Sequence, residues 1–182
     1  KAGEFPGSIV LVIDETKGGD AIVANKSTVG SLQDLNHPSA RLVLTPNSPS
    51  EFLARVVLAH FSLPNLPEKW WVEADGAKAV FNQFRSAGST GKNAYVLWEP
   101  YVSKALQIPG AHVLIDSSKL KGYIVDVLVA ERQFLRDHPD LVKAVVEAHC
   151  RAAYAYHQQA NGLIQLVSDD ARATGAEQLD EA

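Results

Sequence analysis

Apolar positions in this chain recur with two periods. Ser8-Ile-Val-Leu-Val-Ile13 is continuous, apolar and β-branched, and it is closed by Asp14, which predicts a buried strand. Ala21–Ala24, Arg41–Leu44, Lys69–Glu73, Ala94–Trp98 and His112–Ile115 predict further strands, as does Tyr123–Ala130, interrupted only by Asp126. Between them the period changes. Phe52, Leu53, Val56 and Val57 have helical spacing over Glu51–His60, and Ala79, Val80 and Phe84 share one face of Gly76–Arg85. Glu99–Leu106 predicts a short helix, and Pro139–Gln159 a long amphipathic one with proline near its start. Ser31 is placed to cap a short helix ending at Leu35, and Asn161–Ala182 reads as weaker helix with a polar end. Lys17-Gly-Gly-Asp20, Asn36-His-Pro-Ser39, Leu63-Pro-Asn-Leu-Pro67 and Ser86–Lys92 punctuate the pattern as turns and loops. Strands that alternate with helices imply βαβ units and an α/β sheet covered on both faces, a three-layer αβα arrangement.

Composition narrows the function classes. With 182 residues, 46% hydrophobic and 21% charged, the chain can bury a sizeable core. A formal charge of -4 argues against a nucleic-acid surface, which needs clustered Lys and Arg. No apolar run approaches the roughly 20 residues of a membrane-spanning helix. The single cysteine, Cys150, excludes an internal disulfide framework and a cysteine-based metal cluster. The sequence begins at Lys1, contains no Met and shows no signal-peptide pattern, so it is expected to be processed or excised from a longer protein.

Catalytic arrangements are sparse. The histidines, at 37, 60, 112, 138, 149 and 157, show no metal-ligand spacing, and neither a phosphate loop nor a nucleophile elbow occurs. No metal and no cofactor is expected. Recognition groups are better represented. Ala94-Tyr-Val-Leu-Trp-Glu-Pro100 delivers Trp98 and Glu99 to the C-terminal end of a strand, where open α/β sheets bind ligands. Each has a structural alternative: Trp98 as core packing, Glu99 as a first-turn carboxylate favourable to the helix dipole. The loop Thr45-Pro-Asn-Ser-Pro-Ser50 follows a strand and opens a helix. Thr45, Asn47, Ser48 and Ser50 therefore sit where a helix N-terminus can receive a polar ligand, or where a hydroxyl simply caps the helix. Asp126 inside an apolar strand is either a hydrogen-bond hub or a ligand contact. Asp20, beside Gly18-Gly19, has the same two readings, with turn chemistry as its simpler role.

The order of motifs resembles a known family. Ile13-Asp-Glu-Thr-Lys-Gly-Gly-Asp-Ala-Ile-Val23, Ser31-Leu-Gln-Asp-Leu35, Ala94–Pro100, Ile124-Val-Asp-Val-Leu-Val-Ala130 and Phe134-Leu-Arg-Asp-His-Pro-Asp140 recur in sequence. They are similar to those of the nitrate/sulfonate/taurine-type solute-binding proteins of ABC transporters, which have a type II periplasmic binding fold. Gly18-Gly-Asp-Ala-Ile-Val23 and Pro109-Gly-Ala-His-Val-Leu114 resemble the phosphate- or nitrate-type branch. The resemblance covers roughly Ile9 to Tyr156 and implies a mixed, mostly parallel sheet in a lobe that clasps a ligand against a second lobe.

It further implies a division into 1–25 (a remnant of lobe one and an outgoing crossover), 26–122 (a complete lobe two) and 123–182 (the return crossover and lobe-one helices). The missing first half of lobe one marks the chain as a fragment, and Ser8–Ile13 with helix 139–159 is expected to mediate self-association or to dock onto the lobe. By the same resemblance Thr45, Asn47, Ser48 and Ser50 of the loop, with Trp98 and Glu99, are ligand contacts and Asp126 a hinge-side contact; Asp20 joins them as a candidate from its place beside Gly18-Gly19, and the implied partners are a small polar solute and an ABC permease. The location is periplasmic, or membrane-anchored on the outer face. Two departures stand out: Asn36-His-Pro-Ser39 replaces the usual glycine after Asp34-Leu35, and Glu99 is an awkward neighbour for an anion. An amine-bearing ligand is thus as open as an oxyanion. A pyrimidine-synthase-like enzyme of the same fold is the alternative, but it needs a cysteine-rich motif that Cys150 alone cannot supply. A sensory module of a larger envelope protein is the other.

Overall fold

The computed structural model describes residues 6–87 and 90–173. The strands are β1 (Gly7–Glu15), β2 (Asp20–Asn25), β3 (Arg41–Leu44), β4 (Trp71–Glu73), β5 (Asn93–Trp98), β6 (Ala111–Asp116) and β7 (Val125–Glu131). The helices are α1 (Pro49–His60), α2 (Gly76–Ala87), α3 (Tyr101–Leu106), α4 (Arg132–Asp137), α5 (Pro139–Gln158) and α6 (Ala160–Ala173). Two compact units result, Asp14–Asp126 and a second made of Lys1–Ile13 with Val127–Ala182. Residues 174–182, the end of the expected helical tail, lie outside the described residues, as do residues 88 and 89 of the Ser86–Lys92 loop.

Unit Asp14–Asp126 is built on a five-stranded sheet of order β4-β3-β5-β2-β6. β3 pairs parallel with β4 and β5, whereas β2 runs antiparallel to both β5 and β6. Four strands therefore point one way and β2 opposes them. The sheet is mixed, as its motifs imply: four of its five strands share a direction, but two of its four pairings are parallel and two antiparallel.

The period of two along each strand divides the core between the faces. Ile22, Ala24, Leu42, Leu44, Ala94 and Val96 pack with Leu53, Ala54, Val56 and Val57 of α1. Ala21, Val23, Val43, Tyr95 and Leu97 pack with Ala77, Val80 and Phe84 of α2 and with Val102 and Ala105 of α3. Every residue of β2 is buried, because it lies inside the sheet with a helical layer over each face. The compact unit thus begins before residue 26 and takes in β2, which the motif order assigns to the outgoing crossover. A short 3-10 turn, Leu32–Leu35, starts at Ser31, where Asp34 accepts hydrogen bonds from the Gly30 and Ser31 backbone N–H groups at 2.9 and 2.8 Å. Those bonds hold the Asp34 carboxyl below its ordinary value.

The other unit contains most of the two-stranded β1–β7 sheet and helices α4, α5 and α6. Glu131 opens α4 by accepting the Phe134 N–H at 2.6 Å. On α5 Glu147 lies 3.9 Å from Lys143 and 3.6 Å from Arg151, exposed i,i+4 pairs of small energetic weight. Val142 is its buried residue. An apolar groove of about 320 Å³ runs between Val10, Val129, Phe134, Leu141 and Val145.

Four expectations are corrected. Ser8–Ile13 is a strand but not a buried one: Ile9 is 66% and Val12 60% exposed, because a two-stranded ribbon cannot cover both of its faces. Asp126 is exposed for the same reason, and not enclosed in a strand interior. Glu99 precedes its helix, which begins at Tyr101 with Pro100 as N-cap. Trp71 enters β4 but Trp70 does not. The two rings meet edge to face at 5.2 Å and pack against the α1-side core.

Candidate functional site

Because β2 opposes its neighbours, its first residue lies beside the last residue of β5. Asp20 is in register with Trp98, and the Glu99 N–H donates to the Gly19 carbonyl at 2.9 Å. The same end of the sheet carries the last residues of β3 and β4, so the loops after Leu44, Glu73 and Trp98 open on one rim. Ligands of parallel sheets bind at such carboxyl ends.

The loop from β3 to α1 turns sharply at Asn47, whose φ of 53° is a left-handed conformation that asparagine tolerates better than most residues. The turn brings the Asn47 N–H to Glu51 Oε2 at 2.8 Å, and the Ser48 hydroxyl donates to the Thr45 carbonyl at 2.6 Å. Ser48 is the N-cap of α1 by position and Pro49 follows as its first residue, where a missing N–H is no loss. Glu51 in turn holds Arg55, with Nη2 at 2.6 Å and Nε at 2.8 Å from Oε1. The Asn47 N–H first, and then Arg55, keep the Glu51 carboxyl below its ordinary value. The Arg55 guanidinium also stands 5.7 Å from the centre of the Trp70 ring.

These residues form one side of a pocket of about 430 Å³. Asn47, Ser48, Glu51, Phe52 and Arg55 face Tyr123, Ile124, Val125 and Asp126 across it. Phe52 and Tyr123 are in ring contact, with centroids 6.3 Å apart, and His60 meets the Tyr123 ring edge-on at 5.8 Å. His60 is itself oriented by its Nδ1, 2.8 Å from the Val56 carbonyl.

Of the eight expected contacts, Asn47, Ser48 and Asp126 line this pocket. Thr45 lines a neighbouring recess of about 300 Å³ with Pro46, Glu73, Ala74 and Asp75, its Oγ1 buried and without a hydrogen-bond partner. Asp20 is 5% exposed and sits in the β2 strand, not in a turn. Burial raises its carboxyl above the ordinary 3.8, a Thr16 side-chain hydrogen bond works against that rise, and the charge of Asp126 adds to it. Its backbone N–H lies 3.4 Å from the buried Ser117 hydroxyl, which also accepts the Gly18 N–H at 2.8 Å. Ser50 is fully buried, its hydroxyl 3.4 Å from the Val96 carbonyl, which places it in the core. Trp98 is half-buried against the α2-side core. Glu99 accepts the Ser103 N–H at 3.1 Å and its hydroxyl at 2.9 Å, so its carboxylate caps the start of α3.

Sequence reasoning passed over Glu51, Phe52, Arg55 and Tyr123. Phe52 was counted with the core face of α1, yet it is 46% exposed, since Leu53 at the next position faces inward and adjacent helical residues diverge by about 100°. The signal was the extra apolar residue on a helix already carrying Leu53, Val56 and Val57. Among the described residues no group of three or more His, Cys, Asp or Glu side chains could hold a metal, and no helix is long and apolar enough to cross a membrane.

No protein-family model matches the sequence, and no curated protein matches it. Solved structures do. The chain is similar to the periplasmic aliphatic sulphonate binding protein SsuA from Escherichia coli, with TM-score 0.73 and 18% identity over 97% of this chain and 57% of that one. It is also similar to the alkanesulfonate-binding protein SsuA from Xanthomonas axonopodis pv. citri, solved bound to MOPS, with TM-score 0.65 and 19% identity over 96% of this chain and 57% of that one. A putative sulfonate-binding SsuA from Methylobacillus flagellatus gives TM-score 0.67 at 16% identity, covering 90% and 48%. This chain therefore spans about half the length of those proteins. It has the α/β architecture of periplasmic solute-binding proteins, the type II fold that its motif order implies.

Proposed function

We propose that this chain is the solute-capturing part of an ABC importer's substrate-binding component, acting without catalysis. A single observation carries this reading: the pocket of about 430 Å³ beside the carboxyl-end rim of the sheet, formed by the β3–α1 loop, the first turns of α1 and residues 123–126. It combines an aromatic wall with a few polar groups, the usual make-up of a small-molecule site. The resemblance in motif order and fold supports capture by closure of two lobes, delivery to a permease and a periplasmic location, free or anchored at the outer face. Asn47, Ser48 and Asp126 are proposed as direct contacts. Thr45, Asp20, Trp98 and Glu99 are proposed to shape the adjoining rim, and Ser50 to hold α1 against the sheet.

The test is a thermal-shift screen of the chain with nitrate, phosphate, alkanesulfonates, organic amines and pyrimidine precursors. A binder present at 100 times its Kd adds about 2.7 kcal/mol of stability, a readily measured shift. Failure of every class to stabilise the chain refutes the capture reading.

A further inference from the structure

Three groups that could hold an oxyanion in this pocket are already engaged. The Ser48 hydroxyl is bonded to the Thr45 carbonyl, the Asn47 N–H to Glu51, and the Arg55 guanidinium to Glu51 while facing Trp70. The Glu51 carboxylate also lies in the first turn of α1, where it offsets the positive end of the helix dipole that an anion would use. Glu51 and Arg55 cancel in charge. Asp126 remains, and among the described residues it forms no ion pair. The lining therefore carries a net negative charge. Phe52 and Tyr123, nearly half exposed, present ring surface to the same space.

We infer that the pocket takes an organic cation, an amine or quaternary ammonium with an apolar body, rather than an oxyanion. The Asp126 carboxylate is the counter-charge, and Phe52 with Tyr123 form the aromatic wall. This rests on the reading of the pocket as the capture site and adds the charge of the solute to it. An ammonium group gains from the ring faces and from the carboxylate together, whereas an anion meets Glu51 and Asp126, and the Arg55 guanidinium beside them is already paired with Glu51.

The test is calorimetric titration of the whole chain with choline, benzylamine and putrescine on one side, and with ethanesulfonate, nitrate and phosphate on the other. At least one cation is expected to bind saturably. Asp126→Asn should weaken it tenfold or more and Tyr123→Leu several-fold, with circular dichroism unchanged for both. If an oxyanion binds and Asp126→Asn leaves it equal or tighter, the cation assignment is overturned while capture at this pocket stands. If cations bind but neither substitution matters, the site is elsewhere and the assignment fails. If no compound of either class binds, this inference and the proposed function fall together.

Discussion

Unit Asp14–Asp126 and the remainder of the chain use the same amphipathic elements, yet they bury them differently. In the first, a sheet with β2 wholly buried separates two apolar clusters, one under α1 and one under α2 and α3. In the second, the 20-residue helix α5 buries Val142, while Leu141, Val145, Tyr154, Leu163 and Ile164 are exposed. The pocket lies wholly on the well-packed unit. A recognition site needs walls fixed by packing, and α1, which supplies one wall, is locked to the sheet by Leu53, Ala54, Val56 and Val57.

The largest expected break in this comparison is in the core. Phe84 is fully buried, with its ring 5.0 Å from that of Tyr95. Phe84→Ala should cost about 3–5 kcal/mol in urea denaturation, whereas Val142→Ala should cost roughly 1.5 kcal/mol. Equal losses would contradict the asymmetry.

Asp20→Asn tests the buried carboxylate. A raised carboxyl value means that Asp20 contributes most to stability below 3.8, and that this contribution is lost as pH rises through its higher folded value. Asp34, Glu51 and Glu131, all lowered, have the opposite pH slope and are common to both proteins. The variant should therefore melt above the parent at neutral pH, and the gap should close towards pH 4. A gap that widens on acidification would refute the assignment.

Glu99→Ala removes the acceptor for the Ser103 N–H and hydroxyl and should cost about 1 kcal/mol, a melting shift of 2–4 °C. Val145→Glu, on an exposed groove residue of α5, should change stability by less than about 0.5 kcal/mol. If the apolar groove mediates self-association, the same substitution shifts sedimentation of the chain towards monomer.

Most of the sheet was legible because each strand is short, β-branched and bounded by turn residues, and because α1 and α2 each show one apolar face. The exposure of β1 was not. Ile9 and Val12 have the composition of a buried strand, and only the strand's place in a two-stranded ribbon leaves them outside. The site was half legible. A strand end followed by a helix start indicated Asn47 and Ser48, but pairing decided the rest. The reversed direction of β2 sets Asp20 beside Trp98, and the fold brings Tyr123 against Phe52 across 71 residues of sequence. Glu99 reads as a ligand group from its place at a strand end, but its carboxylate accepts from Ser103, four residues on, and so caps the start of α3.

The most direct measurement is a backbone-amide NMR titration of the chain with the solute panel. Capture at this pocket predicts that one solute class shifts the amides of Asn47, Glu51, Tyr123 and Asp126 saturably, while those of Phe84 and Tyr95 stay in place. Saturable shifts confined to residues 7–13 and 127–173, or no shift with any class, would contradict it.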